Sequence, residues 1–330
     1  MLTIRQNLLE TIHGGNPDRF VKQYEFLKMV SNPSGLHSPN PKKGEFGVKN
    51  AWGIVRSWPE NVIAAFPEHT MDKRVIKDIT HWRDYVHAPS LSFPETEWET
   101  FQAQAEAIDR NEYFVTAMVA PGIFEQCHHL GEIQQTLINL YEEPEHMHDL
   151  IRYLTDYELR LADEICSHYH PDALFHHDDW GTQLSTFMST DMFDEFYLEP
   201  YKEVYGFYKS HGVELIVHHS DSYAATLVPE MIEIGIDIFQ GCLASNNVPE
   251  LVKKYGGKIS FMGNIDSAYI DHADWTPEGI EKVVRKAIAD VNSKHYFIPC
   301  NTMGGPSTLY EGAYECISEK IDLVSKEYFK

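Results

Sequence analysis

The sequence predicts an α/β protein that forms a (β/α)8 TIM barrel with an N-terminal loop and hairpin extension. From about residue 95 onward, short β-branched or aromatic runs alternate with longer stretches that carry apolar residues at helical spacing. Six such units can be counted, and the N-terminal third leaves room for two more. A doubly wound open sheet is the structural alternative, but neither GxGxxG after a strand nor GxxxxGKS/T supports nucleotide binding on such a sheet.

The composition indicates an ordered globular protein of the cytoplasm. Of 330 residues, 43% are hydrophobic and 12% aromatic, which excludes a disordered chain. The formal net charge of −23 opposes broad contact with nucleic acids or anionic membrane surfaces. The longest apolar stretch, 114–124, has 11 residues and contains Pro121, so it is too short for a membrane helix of about 20 residues. The N-terminal residues lack the pattern of a signal peptide.

The N-terminal third is the least regular part of the chain. Residues 31–60 are rich in Pro, Gly, Asn and Ser and then offer short aromatic-containing extended pieces, which indicates a loop followed by a hairpin. Because no linker divides the chain, we treat 1–330 as one domain with a decorated segment over 1–95 and regular βα units over 96–330.

The strand candidates of the regular part are short and buried in character. They are Phe114 to Val119, Ala173 to His177, Glu214 to His219, Ile236 to Gln240, Ile259 to Gly263 and Tyr296 to Cys300.

Each strand candidate is followed by a predicted helix. Thr276 is the expected N-cap of one of these helices, with Pro277 at its first position, and Pro200 is expected to kink or divide another. The helices are predicted over 129–141 with 145–167, then 191–211, 223–234, 247–255, 276–292 and 309–328.

Polar residues gather where the predicted strands end. Because parallel strands end on the same face of a barrel, and barrel enzymes place their chemistry there, these residues are interpreted together. Side chains alternate along a strand, so one histidine of each adjacent pair should point into the barrel and the other toward the helices. The residues are His176, His177, Asp178, Asp179, His218, His219, Ser220, Asp221, Gln240, Cys242, Asn264, Asp266, Cys300 and Asn301.

Three of these residues form a candidate metal site. His219, Asp221 and Cys300 offer nitrogen, oxygen and sulfur donors, a mixture that zinc accepts while keeping a position open for substrate. Taken singly, Asp178 and Asp179 also suit helix capping or loop hydrogen bonds, and Cys300 suits a small buried core position.

The five cysteines are scattered without a CxxC pair, which indicates a reduced compartment.

Several motifs resemble those of one known family. They are NPDRF near residue 16, DDWG followed by Gln183 at one strand end, His-Ser-Asp at 219–221, and the GGKI and GNID pieces between residues 256 and 266. Together they resemble the uroporphyrinogen decarboxylase superfamily, and in particular its branch of corrinoid-dependent methyltransferases. The fold of that family is a (β/α)8 barrel, in agreement with the periodicity.

The resemblance implies a methyltransferase of anaerobic one-carbon metabolism. A methyl group would pass from a methoxylated or other methylated small molecule to the cobalt of a corrinoid (cobalamin) that a separate partner protein carries. Zinc is implied at the positions of His219, Asp221 and Cys300, where Asp221 replaces a cysteine of the family pattern and makes the ligand set harder. Asp178, Asp179 and His177 are assigned to acid–base catalysis. Substrate contacts are assigned to Trp180, Gln183, Gln240 and Asn264, with Trp52 and Trp58 as a further apolar wall.

Other functions stay open at this point. The resemblance also allows methyl transfer from a methylated corrinoid to a thiol or to tetrahydrofolate, a metal-free decarboxylase, or a non-catalytic binding barrel. Decarboxylation of uroporphyrinogen itself is not expected, because the Arg-rich RQAGR-type segment is replaced by FVKQYEFLKMV. A homodimer is an open alternative to a monomer.

Overall fold

The computed structural model describes residues 1–62, 64–306 and 308–330. Its centre is a curled sheet of seven parallel strands whose spatial order follows the chain. The backbone N–H of Gln23 donates to the carbonyl of Pro299 over 3.2 Å, which joins the two ends of the sheet. The strands are β1 (Leu27–Val30), β2 (Val48–Lys49), β3 (Val55–Ser57), β4 (Phe66–Pro67), β5 (Phe114–Val119), β6 (Ala173–His177), β7 (Leu215–His219), β8 (Ile238–Cys242), β9 (Ser260–Ile265) and β10 (Phe297–Asn301), of which β2 to β4 form a separate antiparallel sheet.

The predicted barrel architecture is confirmed, and all six predicted strands are present. Strands β5 and β6 have the predicted bounds, while the others are shifted by one or two residues. The N-terminal third contributes one strand to the central sheet rather than two, because β1 pairs directly with β5, with Val30 opposite Ala117. Strands β2 to β4 of that third form the small antiparallel sheet, a more elaborate version of the predicted hairpin.

The helices pack around the outside of the sheet. Thr276 caps its helix as predicted, since its hydroxyl accepts the Gly279 N–H over 3.1 Å. The predicted 191–211 helix is divided by a π-helical segment, Asp194–Leu198, just before Pro200. The helices are α1 (Ile4–Ile12), α2 (Pro33–Leu36), α3 (Glu95–Glu106), α4 (Ile123–Gly131), α5 (Ile133–Glu142), α6 (Pro144–Tyr169), α7 (Thr190–Phe193), α8 (Glu199–Ser210), α9 (Val228–Ile234), α10 (Val248–Tyr255), α11 (Pro277–Val291) and α12 (Ala313–Tyr328).

One helix differs from its predicted bounds in a way that affects the site. The stretch 129–141 was expected to be continuous, but Glu132 adopts a positive φ of 74° and divides it. Its side chain then accepts the N–H groups of Gln134 and Gln135 and caps α5. Helix α4 lies before this break and begins at Ile123, directly after β5. None of the described helices combines the length and apolar character that crossing a membrane requires.

Two apolar clusters hold this architecture together. The inner cluster fills the barrel and contains Phe175, Val217 and Ile298, whereas the larger outer cluster joins the strands to the helices and contains Leu174 and Ile216. Consecutive strand residues therefore belong alternately to the inside and the outside of the barrel. This alternation decides which polar side chains at the strand ends enter the barrel.

Candidate functional site

Each adjacent pair of histidines is divided between the two sides of the sheet, as predicted. His176 points outward, where its Nε2 lies 3.0 Å from a carboxylate oxygen of Glu158 on α6. His218 also points outward, and its Nδ1 lies 2.8 Å from the hydroxyl of Tyr205 on α8. Both side chains are fully buried. They join the sheet to the helices.

The other histidine of each pair lies at the mouth of the barrel. His177 and His219 are opposite each other on β6 and β7, with stacked rings whose centroids are 4.3 Å apart. The Nδ1 of His177 is 2.8 Å from a carboxylate oxygen of Glu125. The Nδ1 of His219 binds the side-chain carbonyl of Gln240, whose amide donates to the Tyr24 hydroxyl over 2.7 Å. With both Nδ1 atoms engaged, each Nε2 is the nitrogen left for a ligand.

A carboxylate completes this group. The group consists of His177, Asp179 and His219. Each residue offers one ligand atom, and these three atoms lie within 4.8 Å of one another. Asp179 is held in place because its Oδ1 accepts the backbone N–H of Asp221 over 2.9 Å. The Asp221 carboxylate adds an oxygen 3.9 Å from Nε2 of His219. Two imidazoles and one carboxylate are a donor set that catalytic zinc uses, with a fourth position left for substrate.

The charges at this mouth favour a cation. Burial and, after it, the neighbouring Asp179 carboxylate together raise the pKa of Asp221 to about 8. Burial, with help from His177, lowers the pKa of His219 to about 4. Burial opposes the charged form of His177, but the carboxylates of Glu125, Asp179 and Asp221 together outweigh it and raise the pKa of His177 to about 10. A divalent cation between the carboxylates of Asp179 and Asp221 would offset the repulsion between them.

Sequence reasoning missed the contribution of α4. Glu125, His128 and His129 form a second group whose ligand atoms lie within 4.8 Å of one another, and Glu125 joins that group to His177. A glutamate three and four residues before two histidines is the signal that could have found this group, because such residues share one face of a helix. That spacing does not predict that Glu125, His128 and His129 lie close to the strand ends.

Asp178 caps α4 instead of entering the barrel. Its two carboxylate oxygens accept the backbone N–H groups of Phe124 and Glu125, each over 2.9 Å, and the hydroxyl of Tyr201. Burial raises the pKa of this carboxyl, and the charge of Glu125 adds to the effect. The structure thus places Asp178 in the capping arrangement that the sequence left open. Its assignment to proton transfer stays a prediction.

Cys300 lies inside the barrel, next to the side chains of Tyr24 and Gln240. It is fully buried on β10 among inner-cluster residues such as Met262, and burial raises the pKa of its thiol. Throughout the described ranges, the set of His219, Asp221 and Cys300 is not among the groups whose ligand atoms come within 4.8 Å of one another. That metal set stays a prediction, and His219 is the residue it shares with the group that the structure assembles.

The four residues predicted to contact substrate occupy different places. Gln240 lies inside the barrel next to His219. Trp180 is fully buried behind the strands, with its ring 3.9 Å from that of His218. Asn264 donates to the Ala287 carbonyl of α11 over 3.1 Å, and Gln183 is exposed on a loop. Gln240 alone among these four lies with the inward histidines, so the substrate role of the other three rests on the sequence alone.

A cavity of about 570 Å³ lies beside this group, between the ends of β1 and β5 and the N-terminal extension. Trp52 lines it, in line with the predicted apolar wall, whereas Trp58 is not among its described lining residues. The polar lining residues include Arg56 and Gln126, and the latter directly follows Glu125. His129 also lines the cavity, so α4 links the cavity to Glu125 and through it to His177.

Comparisons with known proteins agree with this architecture. The sequence model for uroporphyrinogen decarboxylase (URO-D) matches residues 122–301, the segment that holds α4 and the strands bearing both inward histidines. Among solved structures, a methyltransferase from Methanosarcina mazei has a TM-score of 0.65 at 12% identity and covers 98% of this chain and 99% of its own. A B12-independent methionine synthase from Shewanella sp. W3-18-1 has a TM-score of 0.47 at 16% identity and covers 80% of this chain and 72% of its own. A comparison with curated protein sequences finds no match.

Proposed function

Because the chain belongs to the uroporphyrinogen decarboxylase family, we propose that it is a methyltransferase acting on a methoxylated or other methylated small molecule. The acceptor in this proposal is the cobalt of a corrinoid carried by a separate protein. The observation that carries the proposal is the group of His177, Asp179 and His219 at the barrel mouth, where a metal ion and a donor oxygen can meet. The donor oxygen keeps the electrons of the broken carbon–oxygen bond and therefore needs a cation or a proton.

Two ligand sets for the metal ion follow from different observations. The family resemblance favours His219, Asp221 and Cys300, whereas the observed distances favour His177, Asp179 and His219. Either set suits zinc, and an ion bound there supplies a Lewis acid for the donor oxygen. We favour the second set, because Glu125 and Gln240 hold both imidazoles by Nδ1 as is usual for metal-binding histidines.

The chain's own residues have distinct tasks in this proposal. Of the three residues predicted to move protons, His177 and Asp179 face the mouth, where in the favoured ligand set they would hold the metal ion next to the donor oxygen. Asp178 acts through α4 as a positioning residue, since it binds the N–H of Glu125, whose side chain orients His177. Gln240 has the same positioning task for His219.

Replacing Glu125 by glutamine should slow methyl transfer without unfolding the barrel. The amide keeps the size of the side chain but removes the negative charge that orients and polarises His177, so kcat should fall by about 10- to 100-fold. The assay mixes the protein with a cobalt(I) corrinoid and a panel of methoxylated or methylated small molecules and follows the methylated corrinoid by absorbance. Glu106→Gln, an exposed change on α3, is the matched control and should keep full activity.

The same assay tests the direction of the reaction. Methyl transfer from donor to cobalt by the wild-type protein would support the proposal. Transfer only from a methylated corrinoid to a thiol or to tetrahydrofolate would contradict it, as would release of carbon dioxide from a carboxylated substrate without any methyl transfer.

A further inference from the structure

The cavity beside the histidine group has the size of a small-molecule site. Its volume of about 570 Å³ lies within the range of about 300–1,000 Å³ that is usual for such sites. Its walls come from the strand ends of β1 and β5, from α4 and α6, and from the N-terminal extension. The extension thus adds a compartment to the barrel mouth.

Two hydrogen-bond donors in this cavity wall are buried without an acceptor. They are Nε of Arg56 and Nε2 of Gln126. Arg56 is anchored by another of its nitrogens, which donates to the Ala65 carbonyl over 2.7 Å. Gln126 is only 5% exposed. The two nitrogens are shielded in the unliganded protein, but the side chains that bear them line the cavity. Because buried donors are normally paired, a ligand that brings oxygen acceptors would satisfy them.

The charge of the lining limits the charge of that ligand. Among the described lining residues, Arg56 is the sole arginine or lysine. Glu158 also lines the cavity, but its carboxylate is already bound to Nε2 of His176 over 3.0 Å. The Arg56 guanidinium, whose charge also faces the Glu125 carboxylate, can match at most one further negative charge, and its planar donors match the two oxygens of a carboxylate.

The rest of the wall suits an apolar body. Trp52 and Tyr157 meet edge to face with ring centroids 4.8 Å apart, and both line the cavity. Met118, Leu154 and Leu161 extend this apolar surface. Flat apolar molecules pack well against such aromatic edges and faces.

We propose that this cavity binds a small monocarboxylic acid with an apolar, preferably aromatic, body, and that Arg56 and Gln126 hold its carboxylate. The ring of the acid lies against Trp52 and Tyr157. The binding of this acid is independent of the proposed function. Its role as the methyl donor rests on the proposed function. His129 lines this cavity and belongs to the group with Glu125, which in turn binds His177 at the barrel mouth.

Isothermal titration calorimetry with benzoate and its neutral isostere benzamide tests the proposal on the full chain without corrinoid. The wild-type protein should bind benzoate and should bind benzamide at least about 10-fold more weakly. Arg56→Gln and Gln126→Glu should each weaken benzoate binding by about 10- to 100-fold, since one removes the cation and the other adds a repelling charge. Arg83→Gln is the matched control, because Arg83 is exposed and binds Asp149 away from the cavity.

Equal affinity for benzoate and benzamide would overturn the proposal, and so would the absence of benzoate binding by the wild-type protein. Unchanged benzoate affinity in a folded Arg56→Gln protein would overturn it as well. If that variant lacks a thermal unfolding transition, the Gln126→Glu variant decides by the same criterion. Benzoate binding without methyl transfer from any donor of the panel would leave the site in place and refute the proposed function instead. Methyl transfer from neutral donors alone, with no benzoate binding, would support the proposed function and overturn the carboxylate site.

Discussion

The protein with His219 replaced by alanine should contain no bound metal ion, whereas the wild-type protein purified without added metal should contain about one zinc ion per chain. His219 belongs both to the ligand set inferred from family resemblance and to the set that the structure assembles with His177 and Asp179. Removing its imidazole therefore removes a ligand in either case. Elemental analysis of the purified proteins measures the loss, and methyl transfer should fall below detection in the same variant.

Two further variants decide between the ligand sets. If the observed group binds the ion, Asp179→Ala should lose zinc and Cys300→Ala should keep it. Cys242→Ala is the control for changes in the core, because Cys242 is also a fully buried cysteine and lies two strands away, on β8. Zinc lost from Cys300→Ala but retained by Asp179→Ala would establish the set inferred from resemblance. A full zinc content in His219→Ala would contradict both sets.

Asp178→Ala should destabilise the protein by about 2–4 kcal/mol. The substitution removes the acceptor of three buried donors, namely the N–H groups of Phe124 and Glu125 and the hydroxyl of Tyr201. Of these, the Phe124 N–H alone keeps a longer bond, to the Tyr201 hydroxyl over 3.2 Å. It also frees the first turn of α4, so Glu125 loses its fixed position next to His177. Urea unfolding followed by circular dichroism measures the change in the free energy of unfolding.

The control for Asp178 is another aspartate that lies away from such contacts. Asp163 is exposed on α6, and Asp163→Ala should change the free energy of unfolding by less than about 0.5 kcal/mol. If Asp178→Ala unfolds at the same urea concentration as the wild-type protein, Asp178 does not support α4. An unchanged stability with abolished methyl transfer would instead assign Asp178 directly to the chemistry.

Local patterns in the sequence predicted much of the barrel. The strands β5 and β6 were predicted to the residue, because short β-branched and aromatic runs bounded by polar residues have few other stable arrangements. The inward direction of one histidine in each pair followed from alternation along the strand, which is a property of any extended chain. The cap at Thr276 is equally local.

Contacts between distant segments could not be predicted in the same way. The sequence placed Asp178 among catalytic residues, although its carboxylate caps a helix more than 50 residues earlier in the chain. It also grouped Cys300 with His219, while the structure places Asp179 and His177 next to that histidine. Both outcomes depend on how the strands are staggered and on the direction in which each loop leaves the sheet.

The sequence by itself thus determined the class of fold, the strands that carry the site, and the polar residues that end those strands. The tertiary structure decided that the central sheet has seven strands among the described residues, that Glu125 of α4 joins the histidine group, and that the N-terminal extension encloses a cavity with Arg56 in its wall. The physical reason is the separation along the chain over which each interaction acts. Hydrophobic periodicity and capping act within a few residues, whereas a site requires distances between side chains that only the packing of the whole chain brings together.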